Sequence, residues 1–115
     1  MEKLQRAERD YHVALLKLAG EPIDFTAARF GVSVANARNI AKSNAWMVEK
    51  RAGRGVPPRL TTRAAIAIEE ALGIWPTDAD KQLVESNAMT MLRSENGRRV
   101  VMSDIGTWLG LKPPI

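Results

Sequence analysis

Cysteine is absent from the sequence and histidine occurs once. The first absence excludes disulfides and thiolate metal sites together, and His12 alone offers zinc no ordinary ligand set. No carboxylate cluster accompanies His12, so it reads as a surface or core histidine. Aromatic residues are scarce, at 5% of 115 positions. Trp46, Trp75 and Trp108 are scattered along the chain and read as core or interface anchors, not as a base-stacking platform. No apolar run approaches the roughly 18 residues of a membrane span. The opening Met1-Glu2-Lys3-Leu4-Gln5-Arg6 mixes charges and has no apolar h-region, which argues against a secretory signal. Also missing are a nucleophile–base pair, a phosphate-binding glycine loop and metal-ligand spacing. The expectation is therefore a cytoplasmic protein that is not an enzyme, with no cofactor and no metal.

What the sequence does contain is an uneven distribution of charge. The net charge of +4 decides little by itself. Between Phe25 and Ile68, however, stand eight basic residues (Arg29, Arg38, Lys42, Lys50, Arg51, Arg54, Arg59 and Arg63) against the single acid Glu49, a local net of +7. The rest of the chain holds nine basic and twelve acidic residues, a net of −3. Positive charge gathered on the middle third points to a polyanionic partner there. A merely solvated basic face is the competing reading.

Periodicity divides the chain into short elements. Tyr11, Ala14, Leu15 and Leu18 recur at helical spacing within a helix from Arg6 to Leu18, which Gly20 and Pro22 stop. A short helix over Phe25–Phe30 closes at Gly31, and Ser33 caps a third helix reaching about Ala45. Val34, Ala37, Ile40 and Ala41 give that helix its apolar stripe. Trp46 to Lys50 has strand character, residues 51–58 read as a loop rich in glycine and proline, and Arg59 to Thr62 read as the returning strand. Thr61 or Thr62 then caps a helix from Ala64 to Gly73. Beyond a linker at Trp75-Pro76-Thr77, a helix is expected from Asp78 or Asp80 to about Arg93, with Leu83, Ala88, Met91 and Leu92 apolar. Its first-turn acids suit the helix dipole better than acid–base catalysis. Ser94 to Gly97 breaks it, Arg99 to Met102 is strand-like, and a short helix follows from Ser103 to Gly110. Leu83 to Gly110 thereby repeats the grammar of Val13 to Gly31. It reads as the opening half of a second helix-turn-helix, or as a coincidence of two short helical patterns.

The segment FTAARFGVSVANARNIAKSNA meets the local requirements of a helix-turn-helix. It has a small residue in the first helix (Ala27 or Ala28), a glycine in the turn (Gly31), a buried aliphatic (Val32), a cap (Ser33), and buried positions Ala37 and Ile40 in the second helix. With Ala37 and Ile40 turned inward, Ala35, Asn36, Arg38, Asn39 and Lys42 fall on the outer face. Asn pairs bidentately with adenine and Arg with guanine in the major groove. Ala35 suits a thymine methyl, while Lys42 and Ser33 suit phosphates. Lys50, Arg51, Arg54 and Arg59 on the expected wing suit the backbone or a narrow minor groove.

At this point the chain resembles the winged helix-turn-helix regulators, in particular the MarR-like family. The residues that carry the likeness are the strand M47-V48-E49-K50-R51, the basic wing R54-G55-V56-P57-P58-R59 and the L60-T61-T62-R63-A64 opening of the last helix, within a stretch covering about residues 10–73. Two features depart from that family: the wing lacks its acidic-basic sequence, and the long N- and C-terminal dimerisation helices are short here.

The expected fold is thus mainly α with a small β-hairpin, a winged helix-turn-helix domain over 1–75 followed by a helical extension over 76–115. The expected function is sequence-specific binding of double-stranded DNA by a bacterial, phage or plasmid transcriptional regulator, a repressor acting as a homodimer. Helix one and the segment after Pro76 are the candidate dimer surface. Two other classes stay open: a DNA-binding module of a replication initiator, transposase or packaging protein, and a winged helix used only for protein contacts.

Overall fold

The structure, a computed structural model, describes residues 3–87 and 99–110. Its elements are α1 (Lys3–Leu18), α2 (Ile23–Phe30), α3 (Val34–Arg51), α4 (Thr62–Leu72), a 3-10 turn (Asp78–Asp80), α5 (Lys81–Ser86) and α6 (Arg99–Leu109). The chain divides into two compact units, Met1–Arg54 and Gly55–Ile115. Among the described residues no helix is long and apolar enough to cross a membrane.

The first unit is a three-helix arrangement in which α1, α2 and α3 all touch one another, α1 running most extensively along α3. Its apolar centre is Val13, Ile40 and Ala41, with Phe30 packed against them. The buried face of α1 carries Tyr11, Val13 and Ala14, whereas Leu15 and Leu18, expected on that face, are exposed. Three residues join α2 to α3. Gly31 sits at φ +67°, a left-handed conformation that an L side chain resists. Its amide and that of Val32 return to the carbonyls of Ala28 and Ala27 at 3.3 and 3.0 Å, closing α2. The Ser33 hydroxyl then accepts from the Asn36 amide at 3.1 Å and starts α3.

No strand occurs among the described residues, and the small β-hairpin wing expected over 46–62 is not formed. Trp46 to Lys50 instead continue α3 to Arg51, so the helix is 18 residues long. The physical reason lies in spacing. Met47 and Val48 follow Ile40 and Ala41 by seven positions, so they extend the inward stripe, and Met47 is buried. Packing along one side of the helix outweighs the β-forming tendency of Trp, Met and Val in a short run. The helix ends at Ala52 and Gly53, both left-handed at φ +52° and +74°.

The expected returning strand is also absent, because its residues are used otherwise. Arg59 sits at φ +70° in a turn that the Leu60 amide closes onto the Pro57 carbonyl at 3.2 Å. Leu60 is buried in the second core, and Thr61 caps α4 through the Ala64 amide at 3.2 Å. The segment that resembles the strand and wing of winged regulators is therefore the last turns of a helix and an irregular loop.

The second unit packs α4 against α6 around Leu60, Ala64, Ile68, Val84, Ile105 and Trp108. Thr61 Oγ1 donates to Asp104 Oδ2 at 2.8 Å, and Arg63 Nε donates to the same oxygen at 2.6 Å, tying the start of α4 to α6. The Trp108 indole is buried and its Nε1 donates to Asp78 Oδ1 at 3.2 Å. Residues Arg99 to Met102, expected as strand, form the first turn of α6. Val101 and Met102 pack at helical spacing with buried Ile105 and half-buried Leu109, which is why the β-branched run does not matter there. Val84, not Leu83, is the buried position of α5. The rest of that expected helix (88–93) and its break (94–97) lie outside the described residues, which include 83–87 and 99–110 of the expected second half-motif.

Candidate nucleic-acid interface

The six residues expected to contact DNA from the recognition helix fall on α3 or its cap, and all six are exposed: Ser33, Ala35, Asn36, Arg38, Asn39 and Lys42. Ala37, Ile40 and Ala41 on the opposite side are buried. At 100° per residue the outward positions span about half the circumference, from Arg38 through Lys42 and Asn39 to Asn36. Two amides, one guanidinium and one ammonium thus share a solvent-facing strip that starts at the positive end of the helix dipole.

Because α3 runs on to Arg51, the same strip continues beyond the expected recognition helix. Ser43, Trp46, Glu49 and Lys50 are exposed in turn. Lys50, expected on the wing, belongs to this strip. It and Trp46, expected in a strand, lie on the helix, and the seven-residue interval from Ile40 and Ala41 to Met47 and Val48 is the signal in the sequence that finds them there.

The eight cations of the basic third separate by environment. Arg29 Nη2 meets Glu21 Oε1 at 2.6 Å, and Thr26 Oγ1 donates to the other oxygen of Glu21 at 2.6 Å. The Thr26 hydrogen bond first, and then the Arg29 hydrogen bond, hold the Glu21 carboxyl below its ordinary value. Arg63 belongs to Asp104. Arg51 and Arg54, expected on the wing, are half-buried at the end of α3. The Arg51 guanidinium lies 4.4 Å from the Tyr11 ring centre and 3.9 Å from Glu8 Oε2. Arg54 Nη2 donates to the Lys50 carbonyl at 2.6 Å. Arg59 is exposed in the loop of the second unit, before α4. The exposed cations of α3 are Arg38, Lys42 and Lys50.

His12 is exposed and stacks edge-on to Tyr11 at 5.2 Å. Among the described residues no three His, Asp or Glu side chains come together as a metal would require. Compared with known protein families, curated proteins and solved structures, the chain matches none of them.

Proposed function

We propose that this protein binds double-stranded DNA through the outward face of α3 and acts as a transcriptional regulator. The observation that carries the reading is that Ala35, Asn36, Arg38, Asn39 and Lys42 are exposed together on one face of a helix, entered through a three-residue turn from α2. A helix of that diameter fits the major groove, where Asn and Arg match the edges of adenine and guanine. Ser33 caps the first turn of α3, and in this reading a phosphate sits beside it at the helix amides. Lys42 and Lys50 supply ammonium groups for the backbone, a role that needs charge but no fixed fork. With no hairpin after the helix, α3 carries the contact in place of a wing.

One helix covers few base pairs, so two copies on a palindromic site are the expected assembly for a repressor. The deciding experiment is selection of bound fragments from random duplex DNA, scored at two salt concentrations. Enrichment of a sequence, with affinity falling by about 0.9 log unit per log unit of salt for each phosphate contact, supports the reading. Absence of duplex binding even at low salt, or undiminished binding after combined Arg38→Ala, Asn39→Ala and Lys42→Ala substitution, overturns it.

A further inference from the structure

We infer that the DNA-contacting strip of α3 extends to Trp46, whose indole packs against the sugar–phosphate rim of the duplex between Lys42 and Lys50. This rests on the DNA-binding reading above and goes beyond it by assigning a contact outside the first turns of the helix.

Three observations lead there. First, Trp46 is 46% exposed, whereas Trp108 is 1% exposed. The indole N–H groups of the other two tryptophans are engaged, Trp108 with Asp78 and Trp75 with the Gly55 carbonyl at 2.8 Å. Trp46 has no hydrogen-bond or ring partner among the described residues. Second, Trp46 stands four residues after Lys42 and four before Lys50, so one cation flanks it on the turn before and one on the turn after, all three exposed. Glu49 is the only acid on this strip. An apolar ring with one outward donor and a cation on either side matches deoxyribose next to phosphate oxygens.

Third, the length of α3 leaves room for a contact of this kind. Eighteen residues make a rod of about 27 Å, whereas the major groove is only about 12 Å wide and curves around the duplex. A straight helix placing Asn36 and Arg38 on base edges carries Trp46 about 12–15 Å further along its axis, away from the groove floor. There the nearest nucleic-acid surface is the backbone wall. Trp, the largest side chain, spans that widening gap.

The test uses the full chain and fluorescently labelled duplexes of several unrelated sequences. Trp46→Ala is expected to weaken binding about fivefold on every duplex, with the salt dependence unchanged because no charge is lost. Lys42→Ala and Lys50→Ala are each expected to lower the salt slope by about 0.9. Because Trp46 is exposed, the substitutions are expected to leave the circular dichroism spectrum intact. A second measurement needs no variant: duplex binding to the wild-type chain should lower the fraction of its tryptophan emission, from exposed Trp46 and half-buried Trp75, that acrylamide quenches. Wild-type affinity in Trp46→Ala, or unshielded emission in the bound wild type, overturns the inference while leaving the function standing. A loss confined to single-stranded oligonucleotides also overturns it, since that is base stacking. A wild-type chain that binds no duplex removes both readings together.

Discussion

Arg51 and Arg54 each donate a side-chain hydrogen bond to the other's backbone carbonyl, Arg51 Nε at 2.6 Å and Arg54 Nε at 3.0 Å. The Arg51 carbonyl also receives the Arg54 amide, and the Lys50 carbonyl accepts from Arg54 Nη2, so the clasp adds side-chain donors to carbonyls at the end of α3. Arg54→Ala should therefore act on stability before it acts on binding. Loss of two charge-assisted bonds at a half-buried position is expected to cost about 1–2 kcal/mol. Thermal unfolding followed at 222 nm measures it, while the salt slope for duplex binding should stay at its wild-type value. A normal melting temperature with a lower slope would make Arg54 a phosphate contact instead.

Ala52, immediately beyond that helix, is strained in the opposite sense. Its φ of +52° is one an L residue adopts at a cost of about 1–2 kcal/mol. Ala52→Gly should stabilise the protein by about 0.5–1 kcal/mol after the greater freedom of glycine in the unfolded chain is offset. A fall in the urea midpoint on this substitution would contradict the left-handed cap.

How much of this was legible in the sequence depends on how local the deciding interaction is. The turn between α2 and α3 was readable from Gly31, Val32 and Ser33, because φ and capping preferences act within a few residues. Thr61 and Gly73 likewise bracket α4 as expected. The stretch from Trp46 to Lys50 misled, since its β-forming side chains dominate a five-residue window. The continuation of the Ile40 and Ala41 stripe shows only over fifteen. Arg99 to Met102 failed for the same reason. The side-chain commitments of Arg51, Arg54 and Arg63 were not legible, because their partners are carbonyls fixed only by the fold, or a carboxylate 41 positions away. For the candidate site, exposure of Asn36, Arg38, Asn39 and Lys42 followed directly from helical geometry once Ala37 and Ile40 were turned inward.

Asp104 offers a test of the second unit alone. Its carboxylate is buried and accepts from Thr61 and Arg63, the latter about a third exposed. Asp104→Ala leaves both donors without that acceptor and is expected to cost about 2–3 kcal/mol, below the full buried-pair figure because water reaches Arg63. Asp104→Asn keeps one acceptor oxygen and should lose about half as much. Equal losses for the two substitutions would mean that charge, not hydrogen bonding, governs the site.

The Glu21 carboxyl makes stability depend on acid in a defined direction. Held below its ordinary value by Thr26 and Arg29, it contributes fully above the unfolded-state value of 4.5. That contribution is lost as pH falls through the lower folded value. Glu21→Gln should thus be less stable than wild type at neutral pH, the gap narrowing on acidification. Urea titrations between about pH 3 and 7 follow the gap; one that widened in acid would reverse the assignment.

Base-reading and charge-supplying residues should separate by their signatures. Asn36→Ala and Arg38→Ala are expected to cost about 1–3 kcal/mol on the selected sequence and to relax preference at single positions. Lys42→Ala should weaken all duplexes alike. Competition binding with point-substituted operators distinguishes the two patterns. Uniform losses for Asn36→Ala would demote it to a backbone contact.

The hydroxyl of Thr61 serves two masters: it receives the Ala64 amide in the first turn of α4 and donates its proton to a carboxylate 43 residues downstream. Shortening the chain after residue 87 would spare every atom of α4 and α5, yet delete the aspartate that fixes the cap and the Trp108 indole that fills the centre. A proteolytic or recombinant fragment of that length should give broad, poorly dispersed NMR signals from Leu60 onward, so the minimal folded version of this unit must reach past Trp108.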